Sequence, residues 1–152
     1  MKIKLFLLIV LTFAFSFAFS QENKTRILPE GVIQFTPEQI QWTDGPTALP
    51  QGTKMCILYG DYKSKGPFAM RLKLLPNQVV KLHVHTNDEV VTVLEGSIMV
   101  GFGKQIQNSG TTNFTSGSFY VNPGGIEHFI IVGKEGVTIQ INSIGPWTVE
   151  FK

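Results

Sequence analysis

The sequence predicts an all-β domain, folded as a sandwich or a barrel. From Met55 onward, short runs rich in β-branched and aromatic residues alternate with Gly, Pro and Asn, a texture typical of short strands joined by turns. Many strands at regular spacing favour a sandwich or a barrel. In the segment 68–74, apolar residues alternate with more polar ones, so they should face one core. These residues are Phe68, Met70, Leu72 and Leu74.

Nine strands are predicted in this β-rich region. They lie near residues 55–60, 67–75, 79–84, 89–95, 97–102, 117–121, 127–133, 136–142 and 147–151. The stretch from Gln105 to Thr115 is polar and contains Gly110, so it is predicted as a loop. No long helical pattern is visible, and a chain of 152 residues has room for one ordinary domain with a real core.

Residues 1–20 are predicted to be a signal peptide. Lys2 and Lys4 form a short basic start, residues 5–15 are almost all apolar, and Ala18-Phe19-Ser20 is a small-x-small ending. The apolar run is shorter than the roughly 20 residues that a bilayer span needs, which disfavours a membrane anchor. We therefore expect a secreted or periplasmic protein with no stable membrane anchor after cleavage.

The mature chain should begin at Gln21, because the small-x-small sequence ends at Ser20. Intact-mass measurement or N-terminal sequencing of the exported protein checks this expectation. Recovery of chains that begin at Met1 from the membrane fraction would show that the segment is an anchor instead.

Residues 21–53 form an N-terminal extension with little β signal, and residues 54–152 form the β domain. Within the extension, Thr36 is a suitable N-cap, Pro37 stands at the first helical position, and Gln39 follows the cap by three residues. This combination predicts a short helix.

The charge balance argues against nucleic acid as a partner. Removal of Lys2 and Lys4 with the signal peptide would leave 11 basic and 11 acidic residues, and no basic cluster remains to follow a phosphate backbone. The single cysteine, Cys56, has no intramolecular disulfide partner and lies in a predicted strand, so we expect a buried, inert thiol.

All three histidines of the chain fall in two places that also carry an acidic residue. His83 and His85 are two residues apart on a predicted strand, so both side chains project from one face. Glu89 follows after a predicted turn, and His128 follows the turn 123–127. Imidazoles and one carboxylate form a mixed nitrogen and oxygen set that suits Fe, Mn, Ni, Co, Zn or Cu.

Each of these residues also has an ordinary structural reading. A single His on a strand is usually a core or surface residue, and Glu89 alone is an ordinary solvated charge. The coincidence of the whole histidine set favours one divalent transition metal bound by His83, His85, Glu89 and His128. The neighbouring acids Asp88 and Glu127 have the opposite strand parity and should face away.

Two segments resemble the conserved motifs of the cupin superfamily. The first runs from His83-Val84-His85 through Glu89 to Gly96, and the second runs from Gly117 through Pro123-Gly124-Gly125 to His128. Two positions depart from the usual pattern. Asn77 replaces a Gly, which is mild because Asn tolerates left-handed turns, and Val132 replaces an Asn.

The resemblance implies a cupin double-stranded β-helix, a jelly-roll barrel, with a metal inside one mouth. It also implies that His83, His85, Glu89 and His128 are the ligands, which leaves two positions of a six-coordinate ion open for water, O₂ or a chelating substrate. A small molecule is the expected partner, and a homodimer is one assembly compatible with the resemblance.

The leading functional hypothesis is a metal-dependent, dioxygenase-like enzyme that acts on a small organic molecule, with Glu89 also serving as a catalytic base. The alternative is a non-catalytic module that binds a metal or small ligand outside the cytoplasm, and an isomerase or a sugar-binding cupin is a third reading. Further residues are candidates for either a pocket wall or the core. They are Tyr120, Met70, Gln140 and Asn142.

Overall fold

The computed structural model describes residues 29–103 and 110–152, and the predicted signal peptide lies outside these ranges. A 3-10 turn spans Pro37–Gln39. The strands that follow are β1 Thr43–Asp44, β2 Lys54–Tyr59, β3 Gly66–Leu74, β4 Val79–His85, β5 Glu89–Phe102, β6 Thr111–Thr115, β7 Phe119–Asn122, β8 His128–Gly145 and β9 Val149–Phe151. In these two ranges, no helix is long and apolar enough to cross a membrane.

The strands form one antiparallel sheet that curls on itself. Its order is β1-β2-β3-β8-β4-β9, while β5 pairs with β6, β7 and β8. The long strands β5 and β8 pair with register shifts near Gly96, where φ is +71° and a Cβ would overlap the carbonyl oxygen of Gly136. Only Gly fits this bend without strain. The curled antiparallel sheet confirms the predicted jelly-roll architecture.

Most predicted strands are present, but their boundaries differ. The two runs predicted near 89–95 and 97–102 form the single bent strand β5, and the two predicted near 127–133 and 136–142 form β8. The predicted loop from Gln105 to Thr115 is wrong in its last part, because Thr111–Thr115 pair with β5 as β6. Residues 104–109 lie outside the described ranges. The polar β6 gains its structure from pairing with β5, which local composition does not reveal.

The interior is filled by the inward faces of the strands. The alternation predicted in β3 is confirmed, since Phe68, Met70, Leu72 and Leu74 are all buried, and each such side chain contributes about 1.5 to 3 kcal/mol by leaving water. Cys56 is buried as expected. Asn77 adopts φ +60°, the left-handed conformation for which Asn is a tolerable replacement of Gly.

The predicted short helix is reduced to the 3-10 turn Pro37–Gln39. Its N-terminal cap forms as expected, because the Thr36 backbone N–H donates to Gln39 Oε1 at 2.8 Å. The short strand β1 then pairs with β2, with Thr43 opposite Met55.

Candidate metal centre

Strand register brings the three histidines together. His83 on β4 lies directly opposite His128 at the start of β8. His85 is two residues farther along β4, so its side chain shares the face of His83. All three are buried, and the imidazole centroids of His83 and His128 are 4.2 Å apart.

Hydrogen bonds between two turns hold the two motifs against each other. The Gly124 N–H donates to Asp88 Oδ1 and the Gly125 N–H donates to the His85 carbonyl oxygen, both at 2.9 Å. A Cβ on Gly124 would lie 2.8 Å from the Thr86 carbonyl oxygen, too close for a side chain. The Pro-Gly-Gly turn therefore permits the close approach that places His128 beside His85.

The backbone fixes the orientation of each imidazole. His83 Nδ1 lies 2.7 Å from the Lys81 carbonyl oxygen, and His85 Nδ1 lies 3.0 Å from that of Thr148. His128 Nδ1 lies 3.1 Å from the Ile126 carbonyl oxygen. A carbonyl oxygen can only accept, so each Nδ1 carries a proton, and in the neutral ring Nε2 keeps the lone pair that a metal binds. Backbone partners of this kind orient histidine ligands in metal sites.

The three rings present free nitrogens to one point. One ring nitrogen of each histidine lies within 4.8 Å of the others, and the Nε2 atoms of His85 and His128 are buried without a hydrogen-bond partner. Buried polar atoms are normally satisfied. A divalent metal would satisfy both nitrogens, so the residues fit the predicted ion.

Glu89 begins β5 and lies beside two of the histidines. Its Oε1 is 3.6 Å from His85 Nε2, and its Oε2 is 3.4 Å from His128 Nε2. Two ligand atoms each about 2.1 Å from one ion are about 3.0 to 3.4 Å apart. These distances suit Glu89 as a fourth ligand. The group of ligand atoms that all lie within 4.8 Å of one another, however, contains the three histidines and not Glu89. Coordination by Glu89 stays a prediction.

The site favours neutral imidazoles at His83 and His85 beside an ionised carboxylate at Glu89. Burial lowers the pKa of His83 to about 4, and it also lowers the pKa of His85. Burial raises the pKa of Glu89, but contacts with His128, His85 and Asn122 outweigh it, and the pKa ends below its usual value. These are the protonation states that a metal needs.

The metal-free protein should lose stability as the pH falls from about 6.5 to about 4. In this range the unfolded chain binds a proton at His83, whereas the folded chain, with its His83 pKa of about 4, does not. The loss begins near pH 6.5, is complete near pH 4, and should approach about 3 kcal/mol from His83. Urea unfolding at pH 7.5 and 4.5 measures it, and His83→Asn should reduce the difference. Equal midpoints at both pH values would contradict the burial of a neutral His83.

Three further residues support the cluster. Asn122 is buried on β7, and its Nδ2 donates to Glu89 Oε2 at 2.7 Å. Trp147 stacks on His85, with ring centroids 4.0 Å apart and ring planes at 13°. The ring centroid of Phe151 lies 5.5 Å from that of His83. Sequence reasoning did not identify these three contacts. Asn122 is two residues from Tyr120 on the same strand, so a buried Tyr120 would have indicated that the Asn122 amide also faces inward.

A cavity of about 440 Å³ opens onto the cluster. Of the four residues considered for its wall, Met70 lines it and the other three do not. Tyr120 belongs to the hydrophobic core. Gln140 and Asn142 alternate with the buried Ile139 and Ile141, so they have the opposite parity on β8. The Gln140 amide oxygen instead accepts from Arg71 Nε at 3.1 Å.

The curled antiparallel sheet with its inward-facing histidine cluster has the form of a cupin barrel. No family model matches the chain, and the search of curated proteins finds no match. Solved structures do match. The polyketide cyclase RemF from Streptomyces resistomycificus aligns with a TM-score of 0.66 and 15% identity over 79% of this chain and 84% of its own.

Two further structures support the same conclusion. An RmlC-like cupin from Shewanella frigidimarina aligns with a TM-score of 0.57 and 19% identity over 75% of this chain and 91% of its own. An oxalate decarboxylase variant from Bacillus subtilis aligns with a TM-score of 0.55 and 17% identity over 80% of this chain and 31% of its own. The chain has the cupin fold, which confirms the resemblance seen in its motifs.

Proposed function

We propose that this protein is an exported, metal-dependent enzyme that acts on a small organic molecule, with dioxygenase-like oxygen chemistry as the leading reaction class. One observation carries the proposal. Three buried imidazoles, each oriented by a backbone carbonyl, present their free nitrogens to one point. Two of them, His83 and His85, line a 440 Å³ cavity together with Glu89. A metal site that opens onto a cavity is suited to catalysis, whereas structural metal sites are closed.

The structural neighbours are compatible with an enzyme and do not choose the reaction. A polyketide cyclase and an oxalate decarboxylase share the fold at 15% and 17% identity. One scaffold hosts many chemistries, so the reaction class depends on the site itself.

The residues of the site divide the work between them. His83, His85 and His128 would hold the ion, and Glu89 would complete the set or act as a base. A bound divalent transition metal would supply a Lewis acid and a place for oxygen or a chelating substrate. Asn122 keeps one Glu89 oxygen in place through its hydrogen bond, so the carboxylate is positioned to accept a proton from a bound molecule.

A non-catalytic binding module is the second candidate. The cavity wall beyond His83, His85 and Glu89 is mostly apolar, and it offers few groups that could assist proton transfer. A protein that only retains a metal or a small ligand needs no such groups.

Elemental analysis of anaerobically purified protein, followed by oxygen uptake with chelating phenols, thiols and diketones, separates the two candidates. An enzyme should contain about one metal per chain and consume O₂ with at least one compound. Tight ligand retention without product when the protein is loaded with Fe, Mn, Ni, Co, Zn or Cu would identify a binding module instead.

Export remains part of the proposal and rests on the predicted signal peptide, residues 1–20.

A further inference from the structure

The cavity is much larger than a metal site requires. Its volume of about 440 Å³ corresponds to the liquid share of about fifteen water molecules. It extends from the histidines to the N-terminal extension, where Ala48 and Leu49 line it, and to the C-terminal strand, where Phe151 lines it. A ligand that filled it would therefore have a body as well as a metal-binding group.

The wall around that body is apolar. It includes Met55 from β2, Met70 from β3 and Ile139 from β8, while Tyr62 and Thr148 carry its hydroxyl groups. A polyhydroxylated ligand such as a sugar would bury many hydroxyl groups without partners, which is unfavourable. The wall therefore favours an apolar body.

The charge distribution argues against a compact dianion. Among the described residues of the wall, Lys63 is the one Lys or Arg, and its side chain is exposed beside Tyr62, with Nζ 5.5 Å from the ring centroid. A dianion bound at the metal would bring two negative charges beside Glu89, and the three negative charges together would exceed the two positive charges of a divalent ion. The cavity therefore favours a ligand with one negative group, bound at the metal or near Lys63, over a dianion.

The shape and polarizability of the wall favour a flat ring. Trp147 and Phe151 pack against His85 and His83, so aromatic side chains line the cavity beside the metal-binding nitrogens. The thioethers of Met55 and Met70 adapt to irregular gaps and make favourable contacts with aromatic rings.

We propose that the cavity binds a planar aromatic molecule that carries one chelating pair of oxygens, directed to the histidine cluster, on an otherwise apolar ring system. This inference rests on the proposed function for the metal and extends it to the class of ligand. It distinguishes the protein from one that acts on sugars or on small dicarboxylates.

Calorimetric titration of Ni²⁺-loaded protein under nitrogen tests the proposal without turnover. The probes are 2,3-dihydroxynaphthalene, catechol and oxalate. The two phenols share a chelating group, and the larger ring should bind about tenfold more tightly because it buries more apolar surface. Oxalate should bind most weakly. Equal affinities for the two phenols, or tighter binding of oxalate, would overturn the proposal.

A matched pair of variants locates the ligand. Met55→Gln places an amide in the cavity wall and should reduce the advantage of 2,3-dihydroxynaphthalene over catechol at least about threefold. Met99→Gln makes the same change at another half-buried methionine outside the cavity and should leave that advantage unchanged. If the two variants behaved alike, the ring would not lie in this cavity. Leu49→Asn provides a second wall variant if Met55→Gln does not fold.

Titration of metal-free protein with 2-naphthol separates this inference from the proposed function. If the histidines bound no metal, the proposed function would fail, but 2-naphthol should still bind and should bind more weakly to Met55→Gln. Absence of 2-naphthol binding to folded metal-free protein would overturn the aromatic ligand itself.

Discussion

His128→Ala should reduce metal affinity at least about 100-fold, because it deletes one of the three imidazoles that meet at the site. Loss of an outer partner of a ligand alone costs 10- to 100-fold in metal affinity, so loss of a ligand should cost at least as much. Metal content after dialysis and competition with a chromogenic chelator measure the effect. Circular dichroism should show that the variant keeps its β structure.

Glu127→Ala is the matched control for this experiment. Glu127 precedes His128 in the chain and has the opposite strand parity, so its side chain should face away from the cluster and its removal should leave metal occupancy unchanged. Full occupancy in folded His128→Ala would show that the second motif does not contribute a ligand. Equal losses in both variants would point to a disturbance of the turn instead.

Glu89→Gln should reduce turnover about 10²- to 10⁴-fold, the usual contribution of a positioned acid or base, and should reduce metal occupancy less. The amide keeps the size of the side chain and an oxygen that can accept from Asn122, but it cannot act as a base or an anionic ligand. Oxygen uptake and metal content followed in the same sample distinguish the two effects.

Glu95→Gln on the same strand provides the control. Glu95 is exposed, and its Oε2 accepts from Thr138 Oγ1 at 2.9 Å, away from the cluster. This variant should keep both turnover and metal. Unchanged turnover in Glu89→Gln would remove Glu89 from the proposed catalytic role, while the histidine site would stand.

Much of the cluster was predictable because it depends on local rules. The two-residue spacing of His83 and His85 places both rings on one face of a strand. The turn predicted before His128 is present, and the structure adds that its Gly124 lies close to Thr86, which the sequence did not reveal. Parity also predicted that Asp88 would face away from the site, and its side chain is exposed and bonded to Gly124 N–H.

The remaining features depend on contacts between distant parts of the chain. The hydrogen bond between Asn122 and Glu89 joins residues 33 positions apart, and Trp147 reaches His85 through the packing of the C-terminal segment. The polar strand β6 forms because β5 offers a free edge over Ser97–Gly101. Single-sequence patterns do not encode such pairings, since tertiary context decides them.

The hydrogen bonds between the two turns have a consequence for how an ion would enter the protein. The hydrogen bonds from Gly124 N–H to Asp88 Oδ1 and from Gly125 N–H to the His85 carbonyl oxygen use none of the proposed ligand atoms. They join the two halves of the cluster without help from an ion. Metal-dependent folding, as in zinc fingers, requires the ion to assemble its own ligands. Here the ligands are preorganised by the barrel, so binding energy is not consumed in ordering the chain, and a chelator should empty the centre while leaving the barrel folded.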